Sequence, residues 1–232
     1  MSPSSRAVIF DLDNTLYPQR RFMRSGFAAV ARQCAEECGL DWRRVYRILL
    51  RASRNGACGL EFQAAIGVFD LPWPRLQDYL ATFRGHEPRL RLPEVSRRVL
   101  EYLRLKGWKT AVLTNGRPDV QERKVAALGL EPLVDTVVYA AEHGIGTGKP
   151  DATPFLETVW RLGVCVDRCV MIGDDERADI RAASALGMPS VLARIWVPDT
   201  GLPTAADDTV TSLADVPHVA RRLLEISKTH AA

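Results

Sequence analysis

The chain has 232 residues, 47% apolar and 25% charged, with a net charge of +3. That balance suits a soluble globular domain of ordinary size with room for a modest insert. No run approaches the roughly 18 apolar residues of a membrane span, and no dense Lys/Arg tract interleaved with aromatic residues speaks for nucleic acid.

The opening residues MSPSSRAVIF hold no apolar signal-peptide core, so a cytoplasmic location is expected. The first apolar run, Ala7–Phe10, leads straight into Asp11 and Asp13. A buried strand ending in two like charges is costly unless something compensates them. Nearly a hundred residues separate this run from the next, too many for one crossover connection. Within them Phe22–Glu37, Trp42–Ser53, Gly59–Phe69 and Trp73–Phe83 read as amphipathic helices, punctuated by Asn55-Gly56, Pro72 and Pro74. The pattern predicts a small all-helical insert, residues 17–87, in a core made of residues 1–16 and 88–232. Residues 17–91 carry thirteen arginines against seven Asp or Glu, a surplus of six positive charges. Two readings fit: a chain that favours Arg throughout, or a cationic cover over an anionic substrate.

Beyond the insert, Thr110–Leu113, Thr136–Tyr139, Cys169–Ile172 and Ser190–Ala193 are short runs rich in Val, Ile or Leu. Such runs suit parallel strands buried on both faces. Helix-like stretches alternate with them at Val95–Leu105, Val120–Ala127, Thr153–Leu162 and Ala178–Leu186, and the chain closes with a short strand TVTSL and a final helix. Alternation of this kind predicts an α/β fold, a doubly wound parallel sheet with the helical insert after its first strand. The five cysteines include two pairs, Cys34 with Cys38 and Cys165 with Cys169, which lack zinc-site spacing and histidine partners. Buried reduced thiols are expected.

Ligands of open α/β sheets bind beyond the carboxyl ends of the strands. The first run ends in Asp11 and Asp13, and the second in Thr114-Asn115-Gly116. Gly148-Lys149-Pro150-Asp151 follows the third, and the fourth ends in Gly173-Asp174-Asp175, with Asp179 further on. Singly, each is an ordinary turn, cap or surface lysine. Together, at successive strand ends, they form one polar constellation.

On these residues the chain resembles the haloacid dehalogenase superfamily, in its branch of phosphatases with a helical cap after the first strand. Asp11-Leu12-Asp13-Asn14-Thr15-Leu16 matches the first motif in its nucleophile–acid pattern, and Thr114, Lys149 and Asp174 match the second, third and fourth. The segment TNGRPDVQERKVAALGL resembles the helix after the second motif in nucleotidase and sugar-phosphate phosphatases. The resemblance implies Mg²⁺ held by a carboxylate oxygen of Asp11, the main-chain carbonyl of Asp13 and a carboxylate oxygen of Asp174, few enough ligands for an ion that keeps its waters. It implies a phosphomonoester hydrolase acting on a small phosphorylated metabolite, either a sugar phosphate or a nucleoside monophosphate. Asp11 would attack phosphorus and form an aspartyl-phosphate, and Asp13 would act as general acid and then base. Lys149, the Thr114 hydroxyl and the backbone N–H groups of Leu12 and Asn115 would hold the phosphoryl oxygens.

Relatives often carry Ser, Asn or Thr where this chain has Asp175. The second acid of the fourth motif at the metal site is then either Asp175 or Asp179: Asp179 is expected to orient Lys149, and Asp175 either to hold a water of the metal shell or to cap the next helix. A phosphomutase keeps both acids of the first motif, so the motifs alone do not separate it from a hydrolase. A dehalogenase lacks the second acid, and a response-regulator-like phosphate-binding module lacks the helical insert. Arg20, Arg21, Arg24, Arg54 and Asn55 are the polar residues of the insert expected at its hinges or tips, where one or two would meet substrate.

Overall fold

The apolar runs assemble into one six-stranded sheet, every neighbouring pair parallel, in the order β3-β2-β1-β4-β5-β6. The strands are β1 Ala7–Phe10, β2 Lys109–Thr114, β3 Thr136–Tyr139, β4 Cys169–Gly173, β5 Ser190–Ala193 and β6 Asp208–Val210. The computed structural model describes residues 5–54, 59–143, 148–198 and 201–229; Asn55, Gly56 and Cys58 lie outside them. The first four helices, α1 Arg20–Cys38, α2 Trp42–Arg54, α3 Glu61–Phe69 and α4 Arg75–Gly85, all fall between β1 and β2. The others are α5 Glu94–Leu105, α6 Pro118–Leu128, α7 Ala152–Leu162, α8 Ala182–Ala185 and α9 Val216–Thr229. This is a Rossmann-like α/β fold. No helix among the described residues is long and apolar enough to cross a membrane.

Every residue of β1 is fully buried, as a central strand covered on both faces must be. Ala7 and Ile9, with Ala111, Leu113 and Met171, pack on Phe155, Val159 and Leu162 of α7. Helices α5 and α9 belong to the same core unit and bury Leu100, Leu103, Val216 and Leu224. The register aligns Phe10 with Val112 and Ile172, so the ends of β1, β2 and β4 lie side by side. The order of strands reverses direction between β1 and β4, the place where such sheets open a crevice.

Two compact units divide the chain: Met1–Pro18 with Arg91–Ala232, and Gln19–Leu90. Tyr17 and Pro18, placed in the insert by the sequence reading, fall in the core unit, where Tyr17 is fully buried, and residues 88–90, placed in the core, fall in the insert unit. The insert has its own apolar centre, including Phe27, Val30, Val45, Leu49, Phe62, Ile66 and Tyr79.

Two local expectations change. Ala178–Leu186, read as one α-helix, begins as a π-helical turn over Glu176–Arg181 before α8. The segment TVTSL is strand only to Val210, and a 3₁₀ turn follows at Leu213–Asp215. Among the cysteines, Cys34 and Cys169 are buried free thiols as expected, but Cys38 and Cys165 are exposed.

Candidate active site

Asp11 follows β1 directly, and its backbone N–H donates to the Ile172 carbonyl at 2.8 Å, which carries the sheet one residue beyond the strand. Its side chain accepts from Lys149 Nζ at 2.6 Å. The same ammonium donates to Asp179 Oδ1 at 2.6 Å and to the Leu113 carbonyl at 3.0 Å, so all three of its N–H groups are engaged. Asn115 sets the height of this lysine through a reciprocal pair: Nδ2 donates to the Lys149 carbonyl and Oδ1 accepts from its N–H, both at 2.8 Å. Asp179 comes close because of two local features. The π-helical turn carries it inward, where Oδ2 accepts from the Asp175 N–H at 3.1 Å. Position 173 is glycine, and a Cβ there would lie 2.2 Å from Asp179 Oδ2.

Asp11, Asp174 and Asp179 each offer an oxygen within 4.8 Å of the others. Three carboxylates against one ammonium leave two formal negative charges in a largely buried cluster. Burial pushes the Asp11 carboxyl well above the usual range; Lys149 pulls it back, while Asp179 and Asp13 add to the rise. Asp174 is pushed up to about 6, by burial first and then by Asp179 and Asp175; Lys149 and a hydrogen bond from Asn14 act against the rise. Burial pulls the Lys149 ammonium down, and Asp11 and Asp179 more than offset it, so the group is raised overall. A hard, all-oxygen donor set with a surplus of two negative charges fits a divalent cation.

Asp13, two residues from Asp11, has different surroundings. Its Oδ1 accepts from the Tyr17 hydroxyl at 2.6 Å. Its Oδ2 accepts from Lys124 Nζ at 2.6 Å and from Gln121 Nε2 at 3.2 Å. Burial, and after it the Asp13 charge, holds the Tyr17 hydroxyl far above its usual range, so it remains a donor. The chain can turn this sharply because Asn14 takes the left-handed conformation (φ 58°), its N–H donating to the Tyr17 carbonyl at 2.9 Å. Tyr17, Gln121 and Lys124 were not anticipated from the sequence. A signal was present: the buried residues of α6 are Gln121, Lys124, Val125 and Leu128, a helical stripe whose first two members are polar.

Thr114 ends β2 in the buried interior, its hydroxyl bound, among the described residues, only to the Asn115 carbonyl at a long 3.5 Å. No described residue accepts from the backbone N–H of Leu12 or Asn115. Of the two roles expected for Asp175, the structure displays the cap: its Oδ1 accepts from the N–H groups of Arg177 at 2.8 Å and Ala178 at 2.7 Å, and it is not among the three converging carboxylates. Arg20, Arg24 and Arg54 are exposed on the helical unit, with no ion pair among the described residues. Arg194, also unanticipated, donates to the Asp174 carbonyl at 2.8 Å and steadies the end of β4.

An all-parallel sheet with acids at the ends of β1 and β4 and a lysine between them defines a class of hydrolase, and sequence comparison agrees. Residues 5–187 match the family model for haloacid dehalogenase-like hydrolases, and the chain belongs to that family. It is 32% identical to a ribulose-1,5-bisphosphate 5-phosphatase of Halopiger xanaduensis, over 80% of this chain and 83% of the relative. It is 28% identical to a glyceraldehyde 3-phosphate phosphatase of Methanopyrus kandleri, over 82% and 84%. A crystal structure of a HAD phosphatase from Thermococcus onnurineus is similar with a TM-score of 0.63 at 23% identity, covering 92% of this chain and 97% of that one. A 2-haloacid dehalogenase from Pseudomonas syringae gives 0.64 at 23%, covering 94% and 99%. At that identity the likeness to these structures is one of fold.

Proposed function

We propose that this hydrolase splits phosphomonoesters of small phosphorylated metabolites, sugar phosphates foremost, through an aspartyl-phosphate on Asp11 and with Mg²⁺ at the carboxylate cluster. The observation that carries the reading is the contrast between the acids: Asp11 lies in a carboxylate cluster with a formal surplus of negative charge, and Asp13 beside it is held by three donors. The phosphatases named above favour hydrolysis over mutase chemistry, and their substrates favour sugar phosphates over nucleotides. The presence of Asp13 speaks against a dehalogenase.

In this scheme Asp11, the main-chain carbonyl of Asp13 and Asp174 would hold the cation, which when bound offsets charge on the phosphoryl oxygens. Lys149 offsets more of it, and Asp179 orients Lys149. The Thr114 hydroxyl and the N–H groups of Leu12 and Asn115 hold the phosphoryl oxygens. Asp11 forms a bond to phosphorus as the ester P–O bond breaks, and Asp13 gives its proton to the leaving oxygen. Asp13 then takes a proton from the water that attacks phosphorus, which frees Asp11 and inorganic phosphate. The helical insert, Gln19–Leu90, serves as a cap that selects the substrate, with Arg20, Arg24 and Arg54 its candidate contacts, and the enzyme works in the cytoplasm.

The test is phosphate release from a panel of sugar phosphates, nucleoside monophosphates and an aryl phosphate, with Mg²⁺ and with chelator. Turnover of sugar phosphates that stops in chelator supports the reading. Undiminished turnover in chelator overturns the cation assignment, and no phosphate release from any ester overturns the reaction.

A further inference from the structure

Resting on that reading, we propose that Lys124 and Gln121 of α6, with Tyr17, are positioning residues that fix the Asp13 carboxyl for proton transfer to the leaving group. Three observations carry this. The three donors divide between both carboxylate oxygens, Tyr17 on Oδ1 and the α6 pair on Oδ2, which removes the free rotation an exposed carboxylate would have. All three are buried in the core unit: Tyr17 is 0% exposed, Lys124 3% and Gln121 4%. An amide and an ammonium are costly to bury without partners, and on this helix face Asp13 is an acceptor that both share. The Gln121 amide nitrogen is also held by the Asn115 carbonyl, so its NH₂ sits between two acceptors and its orientation is assigned. Position 116 makes room for this: a Cβ there would lie 2.8 Å from Gln121 Nε2, and its φ of +117° suits glycine. The turn that ends β2 at the phosphoryl site and the helix that holds the acid are thus one continuous segment, Thr114–Lys124.

Donors that act through Asp13 should matter in proportion to the substrate's need for an acid. A poor alkyl leaving group needs the proton, and a good aryl one hardly does. The first irreversible step, read by kcat/KM, separates the two. For Lys124→Met, kcat/KM on an alkyl phosphate should fall about 10- to 100-fold and that on 4-nitrophenyl phosphate less than about threefold, a part of the full effect of a general acid. KM should stay near its wild-type value for both. The decisive comparison is a cycle with Asp13→Asn: once Asp13 is gone, Lys124→Met should cost nothing further, whereas a merely structural lysine would add its loss to any background.

Tyr17→Phe keeps the ring, removes one donor, and should show the same leaving-group split more weakly; it also decides the matter if Lys124→Met melts below assay temperature. Equal losses on both esters, additive losses in the cycle, or no loss in either variant would overturn the proposal. The outcome also separates it from the reading it rests on. If Asp13→Asn shows the split and Lys124→Met and Tyr17→Phe do not, the positioning role alone fails. If Asp13→Asn itself shows none, the acid assignment fails and the positioning role with it.

Discussion

The core unit buries charged side chains, and the helical insert displays them. Among the described residues the core buries Asp11, Lys124, Lys149 and Asp179, and all four belong to the candidate site. The insert buries one carboxylate, Glu61, while Arg20, Arg24 and Arg54 stand exposed. Its Arg75–Glu37 pair is solvated, at 39% and 29% side-chain exposure. The difference has an energetic meaning. An exposed pair contributes about 0–1 kcal/mol and is screened by salt, whereas a buried charge stripped of its partner costs several times that. The buried charges proposed for chemistry therefore sit where water has been removed and their neighbours are fixed. Charges on the insert, exposed to solvent, add little to folding.

The sharpest way to break the comparison is to remove the carboxylate proposed to attack phosphorus. Asp11→Asn should lower phosphate release by about 10⁴-fold or more, as loss of a nucleophile does, without lowering the melting temperature in chelator, because one of three mutually repelling carboxylates is gone. Mass spectrometry of the trapped phosphoenzyme checks the same point; a phosphate mapped to another residue would overturn the assignment.

Lys149→Met tests the buried side from the opposite sign. It leaves Asp11 and Asp179 facing each other without their shared ammonium, so the variant should be destabilised by about 3–5 kcal/mol in chelator. Its turnover should fall about 10²- to 10³-fold, as when a charge-stabilising donor is removed. Calorimetry together with initial rates measures both, and a variant as stable as wild type would show that the three carboxylates do not repel.

Asp174 gives a pH-dependent version. Its folded value of about 6 exceeds the ordinary 3.8, so the folded chain binds this proton more tightly than the unfolded one. The corresponding stability is complete below the ordinary value and is lost as pH rises through about 4 to 6. In chelator near neutral pH, Asp174→Asn should therefore be more stable than wild type by about 2 kcal/mol after allowance for solvent screening, and the gap should close near pH 4. Denaturant melts across that range check it; a gap that widens as the pH falls would reverse the sign of the argument.

Much of this could be read from the chain. Short Val/Ile-rich runs ending in polar residues marked five strands closely, and Asp11, Asp13 and Asp174 follow the ends of β1 and β4 as the sequence order implied. The misreadings have physical causes. Tyr17 looked like the first residue of the insert because the chain's return onto Asp13 depends on one left-handed residue, Asn14, which no periodicity reveals. Asp179 was expected beside Lys149, but the π-helical turn that carries it there was not, because the sequence 178–186 shows only an ordinary helical pattern. Gln121 and Lys124 were legible as polar residues on a buried stripe, but their partner lies more than a hundred residues away in sequence. Pairing across that distance comes from the sheet and not from local preference.

The smallest expected effect belongs to the insert and sharpens the comparison from its other side. Arg24→Ala and Arg54→Ala remove exposed charges, so each should change folding stability by no more than about 0.5 kcal/mol. If the insert selects the substrate, one of the two should nevertheless lower kcat/KM on a sugar phosphate by about 1–3 kcal/mol, the worth of a charge-assisted hydrogen bond. A small aryl phosphate, which offers the insert nothing beyond its phosphoryl group, should be spared. The loss should shrink as salt rises, because an arginine working at the surface is screened in a way that Lys149 is not. Equal losses on both substrates would place the arginine's effect on the common phosphoryl chemistry. No loss on either substrate from either variant would leave these arginines as solvated surface and move the search for specificity to the rest of the insert.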